Sequence, residues 1–329
     1  MFLRIVAALF GLLALVAPAG AAPFPVTVEH VYGATTVPAR PMRVVSVGMH
    51  EQDFLYALGI APVGVKEWWG GHAYATWPWA ETARQAVGAT PEVMTAEGIN
   101  LEWVAAQRPD LIIAIYVTMD ETMYEMLSQI APTIVTPAGF QPWGATWQAE
   151  LSIIDRATSG GTEKADAIIA DFAARYAAVQ AEYPGLAGKT GTNIYLEDGN
   201  FVAWGSGDLA SKFLIDLGLT FPPSLDALAQ ADNRIQISPE LIDELLDMDV
   251  AIWPISGPDS NEQATLEAMP LYQKLRIAKE GRSIWLDDGD GLAYAAMSWQ
   301  TPLSLGYLLD ILPAKLAAAA DGDPATLVD

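Results

Sequence analysis

A long amphipathic helix, predicted over residues 162–183 near the middle of the chain, constrains the fold more than any other segment. Thr162 follows two glycines and is placed to cap the first turn, and Pro184 with Gly185 ends the helix. Its apolar residues recur at helical spacing: Ala165, Ile168, Ile169, Phe172, Ala173, Tyr176 and Val179. Such a helix extends about 33 Å. It is long enough to bridge two lobes, although a surface helix of a single domain has the same pattern.

The first 21 residues have the three parts of a secretory signal peptide. Arg4 supplies the positive charge, residues 5–16 form the apolar core, and residues 19–21 give the small-residue pattern of a cleavage site. This apolar core is too short to cross a bilayer, and we expect no later segment to reach the length of about 18 residues that a span requires. The sequence therefore predicts an exported mature chain that begins at Ala22 and is not embedded in a membrane.

The amino-acid composition limits the cellular compartment and the classes of binding partner. The chain contains no cysteine, which excludes a disulfide framework and a lipid-modified cysteine at the cleavage site. We therefore expect a free periplasmic protein without a lipid anchor. There are 40 acidic and 17 basic residues, for a formal net charge of −23. This charge argues against nucleic acid and anionic membranes as partners, and it suits a neutral or cationic ligand or simply solubility.

Short apolar segments alternate with helical ones along the chain, which is typical of α/β architecture. The first half has a hairpin around Gly33, then strands predicted at residues 44–47, 111–116 and 133–135 and helices at 51–58, 101–107 and 120–130. The second half has strands predicted at residues 193–196, 201–204 and 283–286 and a helix at 302–318. Within the first half, the tryptophan-rich residues 66–81 read as an irregular loop, and loops on a scaffold often carry binding.

Two pairs of segments indicate that the α/β unit is duplicated. VGMHEQDFLYALGI and GSGDLASKFLIDLGL both place a loop glycine 11 residues before the glycine of a Leu-Gly pair, Gly48 to Gly59 and Gly207 to Gly218. INLEWVAAQRPDLII and ISPELIDELLDMDVAI both run from an isoleucine, over a short helix, to an aspartate that opens an apolar strand. The two pairs occur in the same order, as expected of an internal repeat.

The predicted fold is α/β with two similar lobes, each a central sheet flanked by helices, joined by one long helix. The N lobe covers residues 22–158, the connecting helix residues 159–184 and the C lobe residues 185–329. A cleft between two domains is a favoured place for a small ligand. The sequence therefore predicts a ligand site between the lobes.

Seven segments together resemble the iron-siderophore-binding proteins of ABC importers: FPVTVEH, ARPMRVVSVG, YALGIAPVGV, INLEWVAAQRPDLII, WGSGDLASKFLIDLG, ISPELIDELLDMDV and TPLSLGYLLDILP. The resemblance covers nearly the whole mature chain, and it lies in the order and spacing of the segments. It implies two lobes on a rigid connecting helix, small hinge motions, a ferric siderophore as ligand, an ABC permease as partner and a monomer without cofactor. Relatives in this family bind ferric hydroxamates, haem, cobalamin or free metal ions.

The resemblance also implies two docking residues. Family members use a glutamate on each lobe to dock onto arginine pockets of the permease, and the matching positions are Glu102 in INLE and Glu240 in ISPE. A carboxylate in the first turn of a short helix is exposed, favoured by the helix dipole and suited to arginine. Helix capping alone is the ordinary alternative.

Eleven tryptophans are many for this length, and large flat side chains suit a bulky, mostly apolar chelate shell. We expect these residues to line the cleft: Met49, His50, Trp68, Trp69, Tyr116, Trp204, Arg234, Trp253 and Trp299. Trp204 and the Trp68–Trp69 pair are the strongest candidates, because glycines beside them leave room for a ligand. Arg234 is the basic residue best placed for a negative ligand group, unless it only pairs with Asp232.

Direct metal or cofactor binding is a weaker interpretation. The chain has three histidines, His30, His50 and His72, and His30 lies in the opening hairpin, so a site built from three imidazoles is disfavoured. Haem would need an axial ligand such as Tyr116 or His50. Cobalamin stays open as a further alternative. We predict no protein metal site.

An enzyme is the most distant interpretation. HEQDF at residues 50–54 resembles a zinc-protease helix, but Phe54 stands where the second histidine is required. Asp287 and Asp288 are adjacent acids in an acidic turn, where solvation is the ordinary role. The chain has no GxSxG motif, no phosphate-binding loop and no cysteine nucleophile. We therefore predict no catalytic residues.

Overall fold

The central helix is present and spans Glu163–Glu182 in the computed structural model. Its start differs from the prediction, because the Thr162 hydroxyl accepts no hydrogen bond from the first turn. The carboxylate of Asp155, on the preceding helix, accepts instead from the N–H groups of Lys164 and Ala165 at 3.0 and 2.9 Å. The long helix is thus capped by a buried acid from its neighbour, a partner that local sequence does not reveal.

The structure describes residues 23–197, 200–230, 233–255, 261–287 and 289–326. The predicted signal peptide lies outside these ranges, as do Asp232 and Asp288. The strands are β1 Val26–His30, β2 Gly33–Val37, β3 Val44–Ser46, β4 Gly64–Lys66, β5 Glu92–Met94, β6 Leu111–Ala114, β7 Thr133–Val135, β8 Gly191–Glu197, β9 Asn200–Trp204, β10 Arg234–Ile237, β11 Val250–Pro254 and β12 Ser283–Leu286. The α-helices are α1 Glu51–Ala57, α2 Glu81–Ala86, α3 Leu101–Ala106, α4 Glu121–Ser128, α5 Trp147–Ser159, α6 Glu163–Glu182, α7 Leu209–Asp216, α8 Pro223–Asp226, α9 Ile242–Leu245, α10 Glu262–Glu267, α11 Arg276–Lys279, α12 Leu292–Ser298 and α13 Pro302–Asp321.

The strands before α6 form a five-stranded sheet, the N sheet, in the order β5-β4-β3-β6-β7. All neighbouring strands in it are parallel. Parallel neighbours need crossover connections, and α1, α3 and α4 supply helices for three of them. Because helices cover both faces, β3, β6 and β7 are apolar runs that are buried throughout.

The strands after α6 form a second five-stranded sheet, the C sheet, in the order β10-β9-β8-β11-β12. Counted along the chain, both sheets follow the same strand order, which supports the predicted duplication. Strand directions differ, since β9 runs antiparallel to both β8 and β10 while β8, β11 and β12 are parallel. The exact limits of the lobes, at residues 158 and 185, stay a prediction.

The predicted opening hairpin is confirmed as a separate two-stranded antiparallel sheet. β1 pairs with β2 from Val26 opposite Val37 to His30 opposite Gly33. Gly33 has a φ of 111°, which favours glycine at the turn. An isolated bridge from His30 to Pro137 joins the hairpin to the N lobe.

The C-terminal helix α13 belongs to a core shared by both lobes. Leu305, Leu308 and Leu312 lie in one buried cluster with Ile113 of the N sheet and Ile252 of the C sheet. Among the described residues, α13 is long and apolar enough to cross a membrane. The expectation that no segment after the signal peptide would reach this length is therefore wrong. Half of its most apolar stretch is buried inside the protein. Its hydrophobicity is therefore accounted for by packing on α1 and α12.

Candidate ligand site between the lobes

The edge of the N lobe that faces the C lobe is fixed by a buried carboxylate at the start of α1. Glu51 is fully buried, and its Oε1 accepts hydrogen bonds from the N–H groups of Ile115 and Tyr116, both at 2.8 Å. Its Oε2 accepts from the N–H of His50 at 3.2 Å. A Cβ at Gly48 would collide with this carboxylate and force it to move, which favours glycine there. The acid thereby joins the loop after β3 to the loop after β6.

His50 lies beneath this surface rather than on it, so the expectation that it lines the cleft is wrong. Its Nε2 is 3.0 Å from Glu150 Oε2, and both side chains are 1% exposed. Burial alone would lower the pKa of His50, but the Glu150 carboxylate raises it above its usual value. The imidazole packs on the Tyr116 ring with centroids 4.2 Å apart. His50 therefore supports Tyr116 and is not placed to bind haem iron.

The pKa of Tyr116, in the N lobe, is affected by a carboxylate at the start of α7. Burial raises the pKa of the Tyr116 hydroxyl, and the carboxylates of Glu150 and Asp208 raise it further. Asp208 is the N-cap of α7 and accepts a hydrogen bond from the N–H of Ala210 at 2.9 Å. Trp143 covers Tyr116 edge to face at 4.5 Å and is 38% exposed. A tyrosine and a tryptophan thus pack together at the edge of the N lobe, and the carboxylate at the start of α7 influences the tyrosine electrostatically.

Rings from both lobes also touch each other in an aromatic cluster made of Trp68, Trp69, Trp77, Tyr294 and Trp299. Trp68 meets Trp299 at 4.8 Å between centroids, and Trp69 meets Tyr294 at 6.0 Å. The structure therefore brings three predicted residues, Trp68, Trp69 and Trp299, together between the lobes. It adds Trp77 and Tyr294, which the sequence analysis did not select. Trp77 lies in the aromatic loop at residues 66–81, and Tyr294 lies in the segment just before Trp299.

Two ring nitrogens in and beside the aromatic cluster are buried without a hydrogen-bond partner in the described part of the chain, Trp69 Nε1 and His72 Nε2. His72 packs on Trp77 at 4.5 Å between centroids. Burial lowers the pKa of His72, although Asp290 of the C lobe opposes the shift. Burial therefore favours the neutral form of His72, and both nitrogens lack a hydrogen-bond partner within the described residues.

Trp253 is not in the cleft, so this prediction is wrong. The side chain is 2% exposed and stacks on Trp285 at 5.5 Å inside the C-lobe core. Its Nε1 donates to Ser283 Oγ at 3.1 Å. Alternate residues of a strand face opposite sides of a sheet, and position 253 falls on the side that Tyr272 covers.

The remaining predicted residues have the following surroundings. Met49 is half-buried, and its N–H donates to the Tyr116 carbonyl at 3.2 Å. Trp204 is half-buried at the end of β9, where it pairs in register with Arg234. Arg234 Nη2 lies 2.6 Å from Glu197 Oε2, so its charge is matched within the C lobe.

Both predicted docking glutamates are exposed. Glu102 lies in the first turn of α3, whose N-cap is Asn100, and the Asn100 side chain accepts from Trp103 N–H at 3.0 Å. Capping of α3 therefore does not require Glu102. Glu240 lies in a short turn of 3-10 helix, where a hydrogen bond to its own backbone and one to Ser238 lower its pKa. Each carboxylate is accessible to a partner.

No metal site was found within the described ranges, in that no group of three or more His, Asp or Glu side chains there is arranged to hold an ion. His30 instead lies 2.9 Å from the Thr35 hydroxyl in the hairpin. Glu51, the acid of the protease-like HEQDF segment, is occupied by backbone N–H groups. His30 and His50 thus form hydrogen bonds within the protein, and His72 packs on Trp77.

Two α/β lobes with aromatic side chains meeting between them define a two-lobed solute-binding protein. The chain belongs to the family described as periplasmic binding protein, which matches residues 44–288. It is 24% identical over 271 residues to the probable siderophore-binding lipoprotein YfiY of Bacillus subtilis, covering 80% of each chain. It is also similar to a solved periplasmic solute-binding protein of Mycobacterium smegmatis, at 31% identity and a TM-score of 0.78 over 90% of this chain and 98% of that one. PiaA of Streptococcus pneumoniae, solved in complex with ferrichrome, matches at 26% identity and a TM-score of 0.76 over 91% and 99%.

Proposed function

We propose that this protein captures a ferric siderophore between its lobes and delivers it to the permease of an ABC importer. The observation that carries the proposal is the aromatic cluster, in which Trp68 and Trp69 of one lobe meet Tyr294 and Trp299 of the other. Large rings on both sides suit a bulky chelate with an apolar shell. Family membership, the name of YfiY and the ferrichrome complex of PiaA support the same function.

Capture in this form requires no protein ligand to iron, because the chelator already holds the metal. The protein supplies ring surfaces and a few hydrogen bonds, for which Trp69 Nε1 and His72 Nε2 are available. It performs no covalent step and uses no cofactor. Haem is less well supported, since His50 is buried against Glu150 and Tyr116 lies under Trp143.

Delivery would use Glu102 and Glu240, one exposed carboxylate on each lobe. Exposed carboxylates can pair bidentately with arginines of a permease. We further propose that the protein acts as a monomer, released into the periplasm by removal of the signal peptide. YfiY is described as a lipoprotein, whereas this sequence contains no cysteine that could carry a lipid.

Tryptophan fluorescence of the mature protein, titrated with ferric chelates, haemin, cobalamin, Zn²⁺ and Mn²⁺, tests the function. We expect saturable quenching by a ferric chelate, and Trp299→Leu should weaken binding about tenfold or more, as for aromatic residues central to an interface. Trp285→Leu is the matched control, because Trp285 is also a half-buried C-lobe tryptophan but packs on Trp253 away from the cluster. Response to haemin, cobalamin or metal alone would contradict the siderophore assignment.

The same titration separates capture from delivery. Reversing both docking carboxylates, Glu102→Arg with Glu240→Arg, should leave chelate affinity unchanged and weaken uptake in cells. Both side chains are exposed, so the fold should tolerate the change. Normal uptake by the double variant would exclude the docking assignment while leaving the binding function in place.

A further inference from the structure

A tyrosine of strand β8 lies beside the aromatic cluster, and the sequence analysis did not select it. Asn193 is the last residue of β8 that pairs with β11, and Tyr195 follows two positions later, so both side chains point to the same face of the sheet. Helix α12 meets Tyr195 there. Ser298 Oγ lies 3.4 Å from the Tyr195 hydroxyl, and the ring of Tyr294, one helical turn earlier, meets the Tyr195 ring edge to face at 5.7 Å between centroids.

This packing brings Tyr195 within one ring of the opposite lobe. The Tyr294 ring that contacts Tyr195 also contacts Trp69 of the N lobe at 6.0 Å and Trp299 at 5.8 Å between centroids. Tyr195 is itself half-buried. Its hydroxyl therefore belongs to the C-lobe wall of the candidate ligand site.

A buried amide fixes the direction in which this hydroxyl can donate. Asn193 is fully buried, and its Nδ2 donates to the Tyr195 hydroxyl oxygen at 2.8 Å. The phenol oxygen receives a proton from the amide, so its own O–H must point elsewhere. Within the described residues its only other partner is Ser298 Oγ, at 3.4 Å, which is long for an O–H···O hydrogen bond. The hydroxyl is thus oriented, but its proton is weakly engaged.

A second tyrosine of the C lobe shows what a hydroxyl with a purely structural role looks like. Tyr272 is 4% exposed, and its hydroxyl lies 2.7 Å from Ser283 Oγ inside the C-lobe core. Both tyrosines thus have a serine as partner. The separation is short and buried at Tyr272, whereas it is long at Tyr195, beside the aromatic cluster.

The chemistry that suits an oriented O–H is an oxygen atom with a free lone pair. On the other side of Tyr294, the buried Trp69 Nε1 is also a donor and makes no hydrogen bond to the described residues. Each lobe therefore offers an uncharged donor beside the Tyr294 ring. The oxygen atoms that hold Fe³⁺ in hydroxamate, catecholate and carboxylate chelates are acceptors of the matching kind.

We propose that Tyr195 is a ligand-binding residue of the C lobe whose O–H donates to an oxygen atom of the bound ferric chelate, and that Asn193 is the positioning residue that orients this hydroxyl. The inference rests on the proposed siderophore-binding function. It adds a directed hydrogen bond to the ring surfaces from which that function is argued.

The test begins with fluorescence titrations of the wild-type protein with ferrichrome, ferrioxamine B, ferric enterobactin and ferric citrate. The variants are then titrated with whichever of these probes binds most tightly. Tyr195→Phe keeps the ring and removes the hydroxyl, so we expect affinity to fall about three- to tenfold. Tyr272→Phe is the matched control, because it removes a serine-bonded hydroxyl from the same lobe away from the cluster, and it should leave affinity unchanged.

A double-mutant cycle tests the positioning role. Asn193→Ala should weaken binding about as much as Tyr195→Phe, and it should cause no further loss when Tyr195 is already phenylalanine. Urea titration shows whether each variant is folded, and Tyr195→Phe alone tests the donor if Asn193→Ala does not fold.

Each outcome of these titrations has a distinct meaning. Wild-type affinity in Tyr195→Phe would overturn the donor role of Tyr195. Equal losses from Asn193→Ala in both backgrounds would show that Asn193 does not act through the hydroxyl, which would overturn its positioning role. Absence of wild-type binding to every ferric probe would instead overturn the proposed function itself.

Discussion

The two lobes share a strand order but differ in strand direction. In the N sheet all neighbouring strands are parallel, whereas β9 of the C sheet runs antiparallel to both its neighbours. Only residues 198 and 199 separate β8 from β9, and so short a connection joins antiparallel strands. As a result α1 follows the first strand of its sheet, while its counterpart α7 follows the second. The repeated sequence pattern therefore places the N-terminus of a helix at the cleft in both lobes. It does not determine the direction of the strand before that helix.

The two helix starts are also held with different strength. Glu51 is fully buried and accepts three backbone hydrogen bonds from His50, Ile115 and Tyr116. Asp208 is half-buried and forms an ordinary N-cap on α7. Removing Glu51 would leave buried N–H groups without an acceptor, whereas water can replace the Asp208 carboxylate more easily. We expect the cleft edge of the N lobe to be the more rigid and the less tolerant of substitution.

The largest expected effect comes from removing these two acids. Glu51→Ala should lower the free energy of unfolding by about 3–5 kcal/mol, because it leaves several buried donors unpaired. Asp208→Ala should lower it by about 1 kcal/mol, the usual loss for an N-cap. Urea unfolding followed by circular dichroism measures both, and faster hydrogen exchange at the amides of Ile115 and Tyr116 should accompany only the first. Equal losses would show that the two helix starts are held alike.

The loop glycines of the two repeated segments, Gly48 and Gly207, give the next largest expected effect. Gly48→Ala should lower the free energy of unfolding by about 2–3 kcal/mol, since its Cβ would displace the Glu51 carboxylate. A Cβ at Gly207 would come no closer than 3.2 Å to the Asn233 side chain, so Gly207→Ala should cost less than about 1 kcal/mol. The measurement is the same urea titration.

The second glycine of each matched pair serves as the control. Gly59 and Gly218 have φ values of 80° and 105°, and alanine at either meets nothing closer than 3.6 Å. Both substitutions should therefore cost about 1 kcal/mol or slightly more, through backbone strain alone. A large difference between these two, or none between Gly48 and Gly207, would contradict the interpretation that the lobes differ at the cleft edge.

Much of the fold was predictable because its signals are local. The stripe on α6, the buried runs in β6 and β7 and the turn at Gly33 depend on residues near one another in the chain. The reversed direction of β9 was not predicted, although the short connection before it carries Asp198-Gly199, a dipeptide that favours hairpins.

The candidate site was predictable only in part, because its contacts are distant in sequence. Tryptophan in a glycine-rich loop indicated Trp68 and Trp69, which the structure places in the aromatic cluster, and their role in ligand binding stays a prediction. Trp253 had a comparable position near a strand end, but the face of the sheet to which it belongs decides its burial. His50 and Asp208 owe their surroundings to Glu150 and Tyr116, about a hundred residues away. No local pattern encodes such pairs.

The last expected effect depends on pH and concerns the junction at which α1 meets the C-terminal helix. Asp53 Oδ2 accepts from Trp79 Nε1 at 2.8 Å and from the hydroxyl of Thr301, the N-cap of α13, at 2.9 Å. Burial raises the pKa of Asp53 to about 6, although both hydrogen bonds oppose the shift. Since an unfolded aspartate has a pKa of about 3.9, the folded state binds this proton more tightly. The resulting stabilisation is complete below about pH 4 and is lost as the pH rises through about 6.

Asp53→Asn should therefore flatten the pH dependence of stability by about 1–3 kcal/mol between pH 4 and pH 7. Urea titrations of the two proteins at several pH values measure this difference, which includes the change that loss of the Asp53 charge causes in the pKa of the nearby His50. Parallel curves would mean that the Trp79 and Thr301 donors fully offset the burial of the charge. The junction would then be held by charge-assisted hydrogen bonds at every pH at which Asp53 is ionised.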